Sequence, residues 1–538
     1  VGLGATQQFS ATSNSLAVSA TWSVGGVQGG NSTVGTIDSN GFYHAPTSFP
    51  SPNNLTVMAT SSSASATASL TVVFPNNNHG SEATPVQLGT SGGNSNDSVT
   101  SGNTITCCSG TLGALVNKGG VLFILSNNHV LDKSSFGTIG DPITQPGLVD
   151  NNCKGGTTVA NLTAAAALKP NPCSTTPCSG PAPSNVDAAI AQIVPGMVDT
   201  SGAILDLGAA SSTSIAAAPP SSTLAVAANV LSANEGVAKS GRSSGLTCSN
   251  LSSVSTSVSV DYDQSCGGAK AFTSTFSNQV IINGGNFSSS GDSGSLVVTS
   301  DTARPVGLLY AGNSTSTTAN PIQDINTALG PFTVVGGPDH SVSCEPTASA
   351  SSATTTAGTQ SATLTTQEKD RVSAAKESYA GKLLQNSAVT DVSVGASADN
   401  PKEGALLVTV NAATSVPAQV GGVRTRVVYA NGSAPRAGVD IINSAIKIKD
   451  AHAGSLMSQS GIQGVGVGVS DDNPAEAAMV IYVISGMPHP EIPVVMDGLR
   501  TKIIEGDRFR AFGWGHETKP AACSVKRQVK LDNPKPKK

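Results

Sequence analysis

The chain has 538 residues, length enough for three or four domains, with 12% charged residues and a formal net charge of −5. Its hydrophobic fraction of 38%, with recurring β-branched runs, allows it to build cores. No apolar run approaches the roughly 18 residues of a membrane helix, so no membrane span is expected. Charge is uneven: residues 1–350 hold 8 Lys/Arg against 17 Asp/Glu, and residues 351–538 hold 21 against 17. The basic excess reads as a solvated face and tail, so no nucleic-acid partner is expected.

Residues 1–74 contain short alternating runs, "ATWSV", "LTVMAT" and "ASLTVVF", as in half-buried strands, and the turn "DSNG". The run "TWSVGGVQGGNSTVGTIDSNGFYHAP" resembles bacterial Ig-like modules, which implies a β-sandwich with Trp22 in its core. Such modules usually open with one more strand before "VGLGATQQFSA". Its absence reads first as trimming within a longer protein; the alternative is self-association, with an unpaired edge that a neighbouring subunit's strand fills. The best candidate for a donated strand is "CSVKRQVKLD", residues 523–532. The start at Val1, with neither Met nor leader, reads as a mature or trimmed extracellular product.

Residues 75–103 are a polar linker, and 345–365 a low-complexity linker without aromatics that cannot fold alone. Between them lies one β-rich domain, 104–344. The C-terminal part holds an internal repeat: residues 377–410 align without gaps to 450–483. Asp399-Asn400-Pro401 matches Asp472-Asn473-Pro474, and Gly381 matches Gly454. Two α-β-β-β units are expected, 366–435 and 436–515, followed by a basic tail, 516–538. The "GVGVG" of the second unit reads as a strand whose glycines permit close backbone approach, rather than as a phosphate loop.

Nine cysteines occur, seven of them between residues 107 and 266, with no zinc-like spacing. Disulfides in an oxidising compartment are expected, with Cys173–Cys178 and Cys248–Cys266 the favoured pairs. The odd count leaves one thiol free or available to pair between chains.

The chemistry centres on "NFSSSGDSGSLVV", residues 286–298. A serine nucleophile needs a neighbouring base. Residues 84–335 contain one histidine, His129, at the end of the apolar strand "GVLFILSNNHVL". The base needs an orienting carboxylate. Asp132, Asp141, Asp150, Asp187, Asp199, Asp206, Asp261 and Asp263 all lie between His129 and Ser293. Asp187 stands out, at the mouth of the apolar strand in "NVDAAIAQI".

"SNNHVL", "NVDAAIAQI" and "GDSGSLV", in the order His, Asp, Ser, resemble the three signature segments of trypsin-like, chymotrypsin-fold serine peptidases. "SNNHV" is especially similar to the bacterial HtrA branch. The resemblance extends over roughly residues 105–330. It implies a double β-barrel, with His129 as general base and acid, Asp187 as its orienter and Ser293 as nucleophile. The Gly291 and Ser293 amides would form the oxyanion hole. "PVGLLYAG" matches the strand beside the substrate, which puts Tyr310, Ala311 and Gly312 in the substrate site. Phe287, six before the serine, implies a neutral pocket. No PDZ module follows, and Ser295 replaces a frequent second glycine. In animal relatives the acid before the nucleophile pairs with a newly cut N-terminus, so Asp292 must find another partner here.

The whole reads as a multidomain, mainly β, secreted bacterial serine endopeptidase acting on protein or peptide, with no cofactor and no metal. The alternative is an inactive extracellular scaffold, adhesin or filament subunit on a peptidase fold. An esterase with the same triad is a third, weaker reading.

Overall fold

The computed structural model describes the chain except residues 14–15, 63, 75, 103, 172–185, 264–265, 267–269, 345–363, 433, 512–522 and 527–538; for 270–271 and 523–526 it describes the backbone alone. Strands dominate. Among the described residues no helix is long and apolar enough to cross a membrane. The expected pair Cys173–Cys178, nearly all of the 345–365 linker and most of the basic tail lie outside the described residues.

Residues 1–74 form two four-stranded sheets around Trp22, Val24, Ile37, Tyr43, Leu55, Val57 and Val72. Strand Ser65–Thr71 is an edge with one strand neighbour, and the start of the chain meets only its C-terminal end. Val1 to Leu3 run beside Thr71–Val73: the Val1 ammonium donates to Thr71 O at 2.7 Å, and Leu3 N to Val73 O at 2.9 Å. The proposed donor strand pairs elsewhere. Cys523–Lys526 lies antiparallel to Thr104–Cys107 of the same chain.

An eight-stranded sheet follows, running in space from Gly110–Leu112 through Thr90–Asn94, Pro142–Gln145, Thr157–Ala165, Ala189–Ile193 and Val121–Ser126 to Ala114–Lys118 and Thr333–Val334. Gly110–Leu112 and Ala114–Lys118 are joined by Gly113 alone, so the sheet has to curl until its ends meet. Leu115, Ile124, Leu125, Val130, Leu162 and Ile190 fill its interior.

A second barrel closes outright. Gly236–Gly241, Leu296–Thr299, Pro305–Gly312, Ser316–Pro321, Lys270–Asn283 and Gly245–Asp263 pair in that order, and Gly245–Asp263 pairs back to Gly236–Gly241. Its long hairpin extends past the barrel and carries the next unit. Strand Ile462–Val469 pairs with it antiparallel, Val254 opposite Val467 and Val258 opposite Gly464, giving a ten-stranded sheet. The "GVGVG" glycines lie at this seam. A Cβ on Gly466 would stand 2.2 Å from Thr256 Oγ1, and one on Gly468 would stand 2.5 Å from Ser252 O. Helix Val439–Met457 buries Ile442, Ala445 and Leu456 in the same core as Val237, Leu251 and Val297 of the barrel.

Among the described residues, three disulfides join distant segments: Cys107–Cys153, Cys108–Cys266 and Cys248–Cys344. The expected Cys248–Cys266 pair is therefore wrong. Cys248 reaches Cys344 at the end of the domain, and Cys266 reaches Cys108 across 158 residues. A hairpin brings its own strands together, but the side chains of its two cysteines need not share a face.

The C-terminal part has helix Thr366–Leu383 followed by strands Val389–Ala396, Gly404–Val410 and Val423–Tyr429. Helix Val439–Met457 is then followed by Ile462–Val469, Ala477–Ile484 and Leu499–Gly506. Matching residues contact each other reciprocally. Arg424 pairs with Glu403 at 2.6 Å and donates to Thr501 O; Arg500 pairs with Glu476 at 2.5 Å and donates to Thr425 O. Asp399 accepts from Ser470 Oγ, and Asp472 from Ser397 Oγ, both at 2.6 Å.

Burial and the nearby Asp472 push the Asp399 carboxyl up to about 6 from 3.8. A raised carboxyl binds its proton more tightly in the folded state. Its stabilisation is complete below about pH 3.8 and is lost as pH rises through about 6. Asp399→Asn should flatten the fall in stability across this window by on the order of 1 kcal/mol or more. Denaturant melts at both ends of the window measure it; an unchanged slope would show that Asp399 does not carry the effect.

Candidate active site

The three candidate residues come from segments 58 to 164 residues apart in sequence; His129 and Asp187 meet side chain to side chain, and Gly110 lies against both Val130 and the backbone of Ser293. Strand Val121–Ser126 buries progressively toward its end and runs into one helical turn, Asn128–Leu131, all four residues of which are buried. His129 sits in that turn with no exposed surface. Asp187 precedes the neighbouring strand, Ala189–Ile193, which pairs with Val121–Ser126 and brings the two side chains together.

His129 Nδ1 stands 2.6 Å from Asp187 Oδ2, and the His129 amide donates to Asp187 Oδ1 at 3.2 Å. Both carboxylate oxygens are thus engaged by one residue, which fixes the ring's orientation with Nδ1 toward the carboxylate. The Asp187 backbone is held as firmly. Its N–H donates to Asn320 Oδ1 at 3.0 Å, and its carbonyl accepts from Asn127 Nδ2 at 2.8 Å and Asn320 Nδ2 at 3.1 Å. Tyr262 donates its hydroxyl to Asp187 Oδ2 at 2.8 Å. Burial, with Asp187 beside it, raises the Tyr262 phenol well above its ordinary range, so it stays a donor.

Four of the other carboxylates in the His–Ser interval are engaged elsewhere. Asp150 pairs with Arg242, Asp141 accepts from Asn94 and Asn96, Asp199 accepts from Ser201 N, and Asp261 accepts from Thr273 Oγ1.

The Gly-Asp-Ser-Gly turn leads into strand Leu296–Thr299 of the second barrel. Gly291 and Gly294 both have φ of +96°, a region that favours glycine, and a Cβ on Gly294 would stand 2.2 Å from Thr111 O. The turn rests on the first barrel. Thr111 N donates to Ser293 O at 2.8 Å, and Thr111 Oγ1 donates to Gly291 O at 2.9 Å. Gly110 touches both halves of the site. A Cβ there would meet Val130, next to His129, at 2.5 Å and Ser293 O at 2.8 Å. Ser293 Oγ donates to Ala511 O at 3.3 Å and to Tyr310 O at 3.4 Å.

Asp292 has the partner that the sequence reading left open. Lys239 Nζ lies 3.2 Å from Asp292 Oδ2, with both side chains fully buried. The same carboxylate accepts from Ser243 N, Ser244 N, Ser244 Oγ and Ser289 N. Lys239 also donates to Ser244 Oγ and Gly245 O. Burial pulls the Lys239 ammonium below its ordinary range, against the opposing pull of Asp292.

Tyr310, Ala311 and Gly312 end strand Pro305–Gly312 and are all buried. Phe287 is elsewhere. It is 3% exposed, packs in the second barrel's core and lines a cavity of about 690 Å³ with Phe74, Asn76, Asp206 and Leu246; Ser293 and Gly312 are not among that cavity's walls.

Tyr262, Asn320 and Lys239 were not reached from sequence. Tyr262 carries no local signature. Lys239 did leave one: it is the sole charge inside the strand "GVAKSG".

The chain matches no protein-family model, and no curated protein matches it. Among solved structures it is similar to a glutamic acid specific serine protease, at 17% identity and a TM-score of 0.30 over 46% of this chain and 100% of that one. It is similar also to protease A of Thermobifida fusca, at 13% identity and a TM-score of 0.27 over 46% of this chain and 98% of that one. Likeness of this degree transfers no function.

Proposed function

We propose that the chain is a serine endopeptidase of chymotrypsin-like fold, secreted into an oxidising environment, that hydrolyses peptide bonds through an acyl-enzyme. The observation that carries this reading is the buried His129–Asp187 pair at 2.6 Å, held beside the Gly-Asp-Ser-Gly turn at the junction of two barrels. The three disulfides support the compartment.

In this reading Ser293 Oγ attacks the substrate carbonyl carbon as its proton passes to His129 Nε2. The oxyanion is received by the Gly291 and Ser293 amides. The imidazolium, stabilised by Asp187, gives its proton to the leaving amine. Water then repeats the sequence on the acyl-enzyme and restores Ser293. Tyr310, Ala311 and Gly312 form the edge against which an extended substrate pairs. Phe287, buried in the second barrel's core with Lys239 Nζ 6.0 Å from its ring centre, takes no part at this edge.

Tyr262 is a positioning residue, acting through Asp187. Tyr262→Phe removes one hydrogen bond to a charged acceptor, about 1.5–3 kcal/mol. It should lower kcat by roughly ten- to a hundredfold while leaving KM near its starting value. An unchanged kcat would remove Tyr262 from the machinery.

The alternative, a scaffold on a peptidase fold, is favoured by one feature: the Ser293 hydroxyl donates to protein carbonyls in a covered site. Long incubation with a fluorophosphonate, with the adduct mapped by peptide mass spectrometry, separates the two. An adduct on Ser293, absent from Ser293→Ala, supports the enzyme. No adduct in any form of the chain favours the scaffold.

A further inference from the structure

After strand Leu499–Gly506 the chain does not leave the molecule. Asp507 is clamped: its carbonyl accepts from Asn313 Nδ2 and Gln463 Nε2, both at 2.9 Å, and its carboxylate accepts from Ser314 N at 2.7 Å. The next residues enter the cleft extended. Phe509 and Ala511 are buried and Arg510 is exposed, the alternation of a strand.

Arg510 exchanges both backbone hydrogen bonds with Gly312, at 3.0 and 3.1 Å, in antiparallel register. On the other side Phe509 O accepts from Asp261 N at 2.9 Å, and Ala511 N donates to Asp261 O at 3.1 Å. The Phe509 ring packs edge-on to Tyr482 at 5.9 Å, in a core shared with Tyr262 and Tyr310. Ala511 O accepts from the Ser293 hydroxyl at 3.3 Å. The chain is next described at Cys523–Lys526, paired with Thr104–Cys107, a strand that leads directly into Gly110 beneath Ser293. The chain is thus paired with the body of the molecule at Arg510 and again at Cys523–Lys526.

We infer that Phe509–Ala511 is an internal peptide ligand of the substrate groove, bound as an extended strand between Gly312 and Asp261, and that it holds the enzyme latent until it is displaced. The inference rests on the peptidase reading and names the first occupant of that site. The groove's ligand class follows from its bonds. It takes a peptide backbone running antiparallel to Pro305–Gly312, with apolar side chains at alternate positions turned inward. The second repeat unit, docked along Gly245–Asp263, delivers the strand to the groove.

The test compares the full chain with Arg510→Pro and Ala511→Pro. The first removes the N–H donated to Gly312 O, and the second removes the N–H donated to Asp261 O. Two readouts are taken: the rate of fluorophosphonate labelling at Ser293, and hydrogen exchange of the Gly312 amide. Both variants should label about five- to tenfold faster, with Gly312 losing protection, since one backbone bond lost at about 1–1.5 kcal/mol shifts an equilibrium by roughly that factor. Equal labelling rates overturn the inference and leave the peptidase reading standing. So does unchanged protection of Gly312 in both variants, because the tail would then not be what pairs with it. Failure of all three chains to label overturns the peptidase reading itself.

Discussion

Ser293→Ala and His129→Ala are each expected to abolish peptide hydrolysis, by a factor on the order of 10⁴ to 10⁶. The nucleophile and its base act as a unit, so the double variant should be no worse than either single one. What activity survives any of these changes comes from substrate binding and from the amides of the turn. Neither change should unfold the chain. Ser293 contributes a hydroxyl at the cleft, and His129→Ala leaves the apolar strand Val121–Ser126 and its partners in place. Circular dichroism and the hydrolysis rate of a peptide amide, measured together on the tail-released Arg510→Pro chain, decide the matter. Near-full activity in a folded His129→Ala variant would end the triad assignment.

Lys239→Met should be the most damaging single change to stability. Lys239 and Asp292 are both fully buried, and removing the ammonium leaves a carboxylate in the interior of the second barrel. Breaking one side of such a pair costs about 3–5 kcal/mol. The donors Ser243 N, Ser244 N and Ser289 N remain and hold the loss toward the lower end. Because Asp292 lies between Gly291 and Ser293, labelling of Ser293 should fall as well. Lys239→Met with Asp292→Asn should recover part of the stability, since no unpaired charge is then buried. Denaturant unfolding of the two singles and the double closes the cycle. A single variant within about 0.5 kcal/mol of the parent would show that the pair does not brace the turn.

Elements carried by local pattern were legible in the sequence. The apolar strand leading to His129, the strand just after Asp187 and the Gly-Asp-Ser-Gly turn each announce themselves within about ten residues. A strand's period and a turn's φ are local properties. The glycines of "GVGVG" belong here too, because a missing side chain in an otherwise β-branched run signals a close neighbour without saying which one. Thr256 and Ser252 are that neighbour, contributed from about 210 residues earlier in the chain.

Tertiary structure alone decided who meets whom. Cys248 and Cys266 flank one hairpin but bond to Cys344 and Cys108, because the sheet faces and the chain crossing set the partners, not the spacing. Tyr262 reaches Asp187 across 75 residues and Lys239 reaches Asp292 across 53; the first bond joins the two barrels, and the second exists only once the second barrel has closed. The strand Phe509–Ala511 has no motif of its own. It occupies the groove because the second repeat unit zips onto the barrel's long hairpin, and that pairing is a matter of register between edges. Sequence by itself determined which residues could do chemistry and which faces had to be buried, since burial and backbone conformation are written in side-chain type and period. The partners of those residues, and whether Ser293 is open or covered, depend on contacts between segments far apart in the chain, which no local pattern encodes.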